Sequence, residues 1–513
     1  MGSTFLQSFQ NAQHGMRQLT CSVLIPVIIV SITALCLGYD AGVMSGAIGP
    51  IAQSFDLSDI EVGIVVGCIN LIAAPGALVG GKLADLKGRV AGIAGTSAVL
   101  FLGPLLVATS GGFFQVLLGR LVTGVGVGLS LVLAPLYAAE VSPPGIRAGI
   151  VTMTEVLVNA GVVLGYFSAI YLEVPGVYGA DPGWRIVTGI ASFPALITLL
   201  ASPWLPESPR WLVQAQKREA AETVLCRLYP DPQVRNVCMK SIDEAVSAEV
   251  NHEESRWTEV LCPSRMVRRM LLAGVGVAFF QQISGSEAIV CYTPTILRSF
   301  DITSESDQNV GAMFMGIAKF TGACLGAVFL DSAGRRTGVL VSCLGVAGCL
   351  VTLAATQGQV ASPVLGLSVL CVFMVFFELG LAPAAFVLGT ESYPVSIRAK
   401  GLGLGMFTSR VLSGLISVAF PAFVQRFSMA SCLWTFAMFA CLGVLWAILC
   451  VPETKGRSLE EVAKLFETPI PLFRKFDASV ECRSFEKHGS QVGSDSILLQ
   501  KPADNFADQL HGA

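Results

Sequence analysis

Seven ionisable residues stand inside otherwise apolar stretches: Asp40, Arg120, Glu155, Glu287, Lys319, Glu378 and Arg410. A charge at the centre of a bilayer costs about 2.5–3.5 kcal/mol on insertion scales, so such residues mark a working site by default. A carboxylate in a partly dry site holds its proton more tightly, and a neighbouring arginine reverses that. Asp40, in Leu-Gly-Tyr-Asp-Ala-Gly, reads as a proton switch with Arg120 as its partner; a fixed structural salt bridge is the alternative. The run Gln281-Gln282-Ile-Ser-Gly-Ser-Glu287 offers two amides and a carboxylate, which donate to and accept from hydroxyl groups. Glu155 and Asn159, four apart, share a helix face. Lys319, Glu378 and Ser409 are candidates to complete a polar ring. Phe279, Phe280, Tyr292, Phe377 and Phe386 are candidates to stack on the C–H face of a sugar, although any one alone reads as packing. Together the set suits a polyhydroxylated solute of sugar size better than an ion or a fatty molecule.

A second group of charges recurs along the chain. Asp85-Leu-Lys-Gly-Arg89 reappears as Asp331-Ser-Ala-Gly-Arg335-Arg336, Glu140-Val-Ser-Pro-Pro-Gly-Ile-Arg147 as Glu391-Ser-Tyr-Pro-Val-Ser-Ile-Arg398, and Pro206-Glu207-Ser-Pro-Arg210 as Pro452-Glu453-Thr-Lys-Gly-Arg457. Each repeat falls after nearly the same interval and in the same order, which implies two parallel halves. Transporters built this way bind solute at mid-depth between the halves and rock them to open alternately. The repeated acids are expected to bond free backbone N–H groups or neighbouring arginines at helix ends. Gating is the expected role; simple anchoring of helix ends is the bland reading.

The elements that must position these groups follow from composition. The 513 residues are 53% hydrophobic and 13% charged, against about 25% charged in ordinary soluble domains, and the mean hydropathy is +0.67. A large soluble enzyme is excluded by that balance. Apolar runs near 22–48, 60–82, 91–110, 113–138, 150–172 and 184–204, then 268–297, 309–331, 337–357, 363–390, 400–424 and 431–451, predict twelve membrane helices. The expected division is an N-terminal segment 1–20, a six-helix bundle 21–204, a helical linker 205–266, a second bundle 267–451 and a tail 452–513. Lys82, Lys87, Arg89, Arg147, Arg335, Arg336, Arg398, Lys400, Lys455 and Arg457 fall in connections on one side. The other side carries Asp56, Asp59, Glu61, Glu173, Asp181, Asp301, Glu305 and Asp307 with few bases. By the positive-inside rule both termini are expected in the cytoplasm. The net charge of -3 argues against nucleic acid as a partner. Most of the cysteines sit singly in apolar runs, and all four histidines lie in hydrophilic segments, so neither a disulfide framework nor a metal is expected. No cofactor motif and no cleavable signal stands out.

The joint order of Gly119-Arg120, Pro206-Glu-Ser-Pro-Arg210-Trp211, Gln281-Gln282-Ile-Ser-Gly285, Asp331 with Gly334-Arg335-Arg336, and Pro452-Glu-Thr-Lys-Gly-Arg457 resembles the sugar porter family of the major facilitator superfamily. The resemblance runs from about 20 to 465. It implies an all-α fold of twelve transmembrane helices in two six-helix halves, and a monosaccharide or polyol carrier, facilitative or proton-coupled. It places sugar-binding glutamines at Gln281 and Gln282, and further binding positions at Asn159, Glu287, Lys319, Phe386 and Ser409. Asp40 matches the proton-carrying aspartate of symporters, with Arg120 its partner. Glu140, Glu207 and Glu391 with Arg147, Arg210, Arg398 and Arg457 match a cytoplasmic ion-pair network. Glu287, Lys319, Arg410 and the Glu155-x-x-x-Asn159 pattern look more like plant-type polyol and inositol/proton symporters than glucose carriers, while Phe386 departs from both. The expectation is thus a proton-coupled importer of a hexose or polyol, acting as a monomer in a lipid bilayer, in the plasma membrane or else a vacuolar or other internal one. A facilitative carrier and a transporter-like sugar sensor are the alternatives.

Overall fold

The computed structural model describes residues 21–142, 147–171, 180–251, 258–357, 363–393, 395–455, 462 and 465–467. They are built from helices. Eleven are long and apolar enough to cross a membrane, including Cys21–Phe55, Asp59–Lys87, Arg89–Ala108 and Phe113–Glu140 in the first half. The fifth span is Arg147–Tyr171, and the sixth is made of Ala180–Ile190 and Ser192–Ala201. In the second half the eighth, ninth, eleventh and twelfth spans are Glu305–Ala333, Arg335–Thr356, Val395–Arg426 and Met429–Cys450.

Two spans are broken where the polar residues lie. The seventh consists of Arg265–Ile283, Ser286–Cys291 and Thr293–Arg298, and completes the twelve. Its first break is at Gly285, whose φ of 81° is a left-handed conformation open to glycine; Pro294 occupies the first turn of the last piece. The tenth span runs Pro363–Phe376, changes to a π-helical turn over Phe377–Leu381, and continues as Ala382–Glu391. Such bulges re-aim side chains and recur at functional sites; this one carries Glu378.

Short helices, Pro209–Gln214, Arg218–Leu228 and Pro232–Asn251, follow the sixth span. Arg218 there donates to both carboxylate oxygens of Asp243, at 3.1 and 2.9 Å, and those bonds raise its pKa above the ordinary guanidinium value.

The halves meet through two antiparallel helix pairs. In the second and eleventh spans, Gly67 faces the Gly414 carbonyl so closely that a Cβ there would come within 2.6 Å of it, and Gly403 approaches Leu78 further along. Small residues permit this approach, as in other membrane interfaces. The fifth and eighth spans pair similarly, with Tyr166 against Gly316. The Tyr166 hydroxyl donates to the Val290 carbonyl of the seventh span at 2.7 Å. Those at Gly67, Gly316 and Tyr166 close the halves toward the end bearing the acidic loops, while Gly403 and Leu78 lie toward the basic end.

Candidate functional site

The mid-depth charges converge in three groups. In the first, one guanidinium nitrogen of Arg120 lies 2.6 and 2.7 Å from the two carboxylate oxygens of Asp40. Arg120 also donates to the carbonyls of Val65 and Val66, at 2.8 and 3.3 Å, so it is locked across the first, second and fourth spans. Its side chain is 3% exposed and that of Asp40 14%. The arginine is thus fixed, and the carboxylate is the partner with access to the interior of the site.

In the second group, the Lys319 ammonium binds Glu378 and donates to the Asn159 Oδ1 at 2.5 Å. Asn159 turns its Nδ2 to Glu378, 3.4 Å away, and to the Glu155 carbonyl, 3.2 Å away. Glu378 and Asn159 are fully buried. The Glu155 carboxylate makes no hydrogen bond or ion pair among the described residues, although Glu378, Lys319 and Arg410 are the charges around it.

The third group joins the broken seventh span to the eleventh. Gln282 donates to the Ser409 hydroxyl at 3.0 Å, and Arg410 donates to the same hydroxyl at 3.4 Å. Arg410 also donates to the Asn70 Oδ1 at 3.1 Å, while Asn70 donates to Glu287 at 3.2 Å. Gln281 donates to the Ala382 carbonyl at 3.4 Å. The Oε1 of Gln282 and the Nε of Arg410 are buried without a hydrogen-bond partner among the described residues. An open acceptor and an open donor flanking Ser409 match a hydroxyl, which is both.

Sequence spacing puts Gln281, Gln282 and Glu287 on one broad helical sector; the break at Gly285 places the glutamines on one helix and Glu287 on the next. The aromatic candidates divide. Tyr292 stacks on Phe420 at 4.9 Å and donates to the Ser417 carbonyl, Phe377 stacks on Phe373, and Phe280 packs on Trp446 at 5.0 Å. Those rings are used in packing. Phe386 is half-buried with no ring partner among the described residues. Asn70 was absent from the expected set; its signal is a lone amide in the apolar run Cys68-Ile-Asn-Leu-Ile.

At the basic ends, each half builds the same cluster. Arg89 grips Glu140 through two hydrogen bonds, 2.8 and 2.9 Å, and pairs with Asp85 at 3.0 Å. Glu207 accepts from the backbone N–H of Arg89 at 2.9 Å and of Val90 at 3.2 Å. Arg335 likewise holds Glu391 at 3.2 and 3.0 Å, and Glu453 accepts from the N–H groups of Arg335 and Arg336 at 3.0 and 3.2 Å. These bonds stay within one half. Arg398 donates to the Tyr393 carbonyl at 3.2 Å, and Arg210 is half-buried in the helix Pro209–Gln214. The side chains of Arg147 and Asp331, and Arg457 altogether, lie outside the described residues.

Residues 26–466 match the family model described as "Sugar (and other) transporter". Probable polyol transporter 4 of Arabidopsis thaliana is 31% identical over 462 residues, covering 89% of this chain and 87% of that protein. Polyol transporter 5 of the same plant is 31% identical over 465 residues, 86% and 85% of the two chains. Among solved structures, the xylose transporter XylE from E. coli in a partially occluded inward open conformation superposes with a TM-score of 0.74 at 22% identity, covering 86% of this chain and 100% of that one. XylE described as a proton:xylose symporter, bound to 6-bromo-6-deoxy-D-glucose, gives 0.73 at 23% identity, covering 86% and 99%. The chain belongs to the sugar porter family of the major facilitator superfamily and is a multi-pass membrane transporter with twelve helices in two six-helix halves.

Proposed function

We propose that the protein imports a monosaccharide or sugar alcohol together with a proton by alternating access. The observation that carries this reading is that one structure holds both a largely buried Asp40–Arg120 pair and, among the described residues, an unsatisfied acceptor on Gln282 and donor on Arg410 beside Ser409. The relatives named as polyol transporters and the proton:xylose symporter neighbour support it.

Protonation of Asp40 removes the charge that holds it to Arg120, and the first span is released from the fourth. Solute hydroxyls bind Gln281, Gln282, Ser409 and Asn159, with Glu155, Glu287, Lys319 and Glu378 as charged neighbours and Phe386 as the free ring. The halves then close around the solute at the acidic-loop end and part at the basic end. There Arg120 draws the proton off by re-forming the pair. The rim acids and bases Asp85, Arg89, Glu140, Arg147, Glu207, Arg210, Asp331, Arg335, Arg336, Glu391, Arg398, Glu453 and Arg457 govern that opening. Inward movement of positive charge adds about 2.3 kcal/mol per elementary charge per 100 mV to the driving force. The loop charges support a multi-pass protein with both termini cytoplasmic, in the plasma membrane or in a vacuolar or other internal one.

The test is uptake into proteoliposomes under an imposed proton gradient, with a panel of hexoses, hexitols and inositol. The Asp40→Asn variant should lose accumulation above the outside concentration while keeping solute exchange. Accumulation at the wild-type level in that variant would sink the coupling, and uptake indifferent to pH and uncouplers in the wild type would make the protein a facilitative carrier.

A further inference from the structure

Two asparagines of the first half sit in the same way between an acid and a base of the second. The carboxamide of Asn70 accepts from Arg410 through Oδ1, at 3.1 Å, and donates from Nδ2 to Glu287 at 3.2 Å. That of Asn159 accepts from Lys319 at 2.5 Å and approaches Glu378 with its Nδ2 at 3.4 Å. The internal repeat relates the two contacts. Asn159 and Arg410 stand as far apart in the chain as Glu140 and Glu391 do, so Arg410 holds in the second half the place of Asn159 in the first. One contact joins the second span to the eleventh and the other the fifth to the eighth, and these are the two helix pairs through which the halves close.

We propose that Asn70 and Asn159 are a matched pair of latches that hold the ligand-free protein closed at its acidic-loop end, with Asn70 a positioning residue of the transport site. A carboxamide suits this task because it is neutral, and it presents one acceptor and one donor side by side to an oppositely charged pair. Hydrogen bonds to charged groups are stronger than those between neutral ones, yet an amide can leave without uncovering a charge of its own. A direct ion pair across the halves would be harder to open, because parting it bares two charges. When the halves separate, Glu378 and Lys319 remain a direct ion pair on the second half, and Glu287 and Arg410, bridged by Asn70 in the closed form, stay on that same half with opposite charges. The latch therefore makes a contact that is firm when formed and inexpensive to break. This rests on the alternating-access reading above and adds to it which residues govern closure of the empty protein.

Cys291 reports on the closed end. It is 5% exposed and directly follows Val290, whose carbonyl takes the Tyr166 hydroxyl. The purified full-length protein, without solute, is reacted with a maleimide, and labelling is followed for each cysteine by peptide mass spectrometry. Asn70→Leu and Asn159→Leu should each speed labelling of Cys291 about tenfold, which corresponds to about 1.4 kcal/mol of lost closure. Asn70→Gln, which keeps the carboxamide, should restore the slow rate. Cys343 and Cys432, buried in the ninth and twelfth spans, should label as slowly as in the wild type. Wild-type labelling of Cys291 in either folded leucine variant overturns the latch, and so does an equal rise at Cys343 and Cys432, which would mean general loosening. Asn159→Leu gives an independent answer if Asn70→Leu does not fold, and Asn70→Ser serves if neither leucine variant elutes as a single species. Because no solute is present, failure of the wild type to transport any hexose or polyol would leave this result standing. Unchanged labelling in a protein that does transport would remove the latch alone.

Discussion

Gly88 and Gly334 adopt φ and ψ of 94° and 161° in one half and 93° and 158° in the other. Over each lies a carboxylate from the exit of that half's last span, Glu207 or Glu453, close enough that a Cβ would sit 2.5 Å from its oxygen. At mid-depth the same two halves share almost nothing. The first contributes Asp40, Arg120, Glu155 and two asparagines; the second contributes Glu287, Lys319, Glu378 and Arg410. Every half must turn its chain between two membrane helices and satisfy the N–H groups that start the next one, so the turn is kept twice. The mid-depth residues answer to a solute that is not two-fold symmetric and to a proton handled on one side only, and there the repeat dissolves.

The repeat at the basic ends is equal in design and unequal in burial, which gives the largest expected effect. Arg89 and Glu140 are 3% and 4% exposed, whereas Arg335 and Glu391 are 16% and 28% exposed. Breaking a buried pair strands a charge and costs about 3–5 kcal/mol; a pair open to water is worth about 1 kcal/mol or less. Glu140→Ala should accordingly lower the thermal unfolding temperature in detergent much further than Glu391→Ala. Equal drops would show that exposure in this structure does not govern the two ties. A smaller pair of effects should be matched between the halves. Gly88→Ala and Gly334→Ala each force a side chain into a left-handed conformation beside a carboxylate, at about 1–3 kcal/mol. A difference between them beyond about 1 kcal/mol would end the claim that the two turns are equivalent.

How far these residues were legible in the sequence depends on what announces them. Charges inside apolar runs announce themselves by cost, so Asp40 and Arg120 were readable as partners, and their contact is present. The rim acids were readable because the motif occurs twice; their bonding to backbone N–H groups follows from helix-end chemistry, as Glu207 and Glu453 illustrate. Asn70 was not readable, because a neutral amide in an apolar helix carries little penalty and its partners Glu287 and Arg410 are distant in the chain. The same distance hid the stacking of Tyr292 on Phe420 and of Phe280 on Trp446. The breaks in the seventh and tenth spans turned Glu287 and Glu378 away from positions that a continuous helix would give.

Glu155 supplies the smallest expected effect and the sharpest contrast with the rim. Four carboxylates, Asp40, Glu155, Glu287 and Glu378, stand at mid-depth against three bases, Arg120, Lys319 and Arg410. Asp40 is paired with Arg120 and Glu378 with Lys319, and Glu287 is linked to Arg410 through Asn70. Glu155 is left without a hydrogen-bond partner among the described residues, in surroundings where an uncompensated charge is costly. At the rim Glu140 and Glu391 are held by arginines and Glu207 and Glu453 by backbone N–H groups, and removing such a carboxylate destabilises. Here Glu155→Gln keeps the shape and removes the excess charge, so it should stabilise the protein in detergent by about 1 kcal/mol, as relief of functional-site strain commonly does. Uptake by the variant should fall, since a residue retained at a cost to stability is retained for its work. A lower unfolding temperature for Glu155→Gln would mean that the carboxylate is compensated after all, and that the balance of charge at mid-depth resembles the rim.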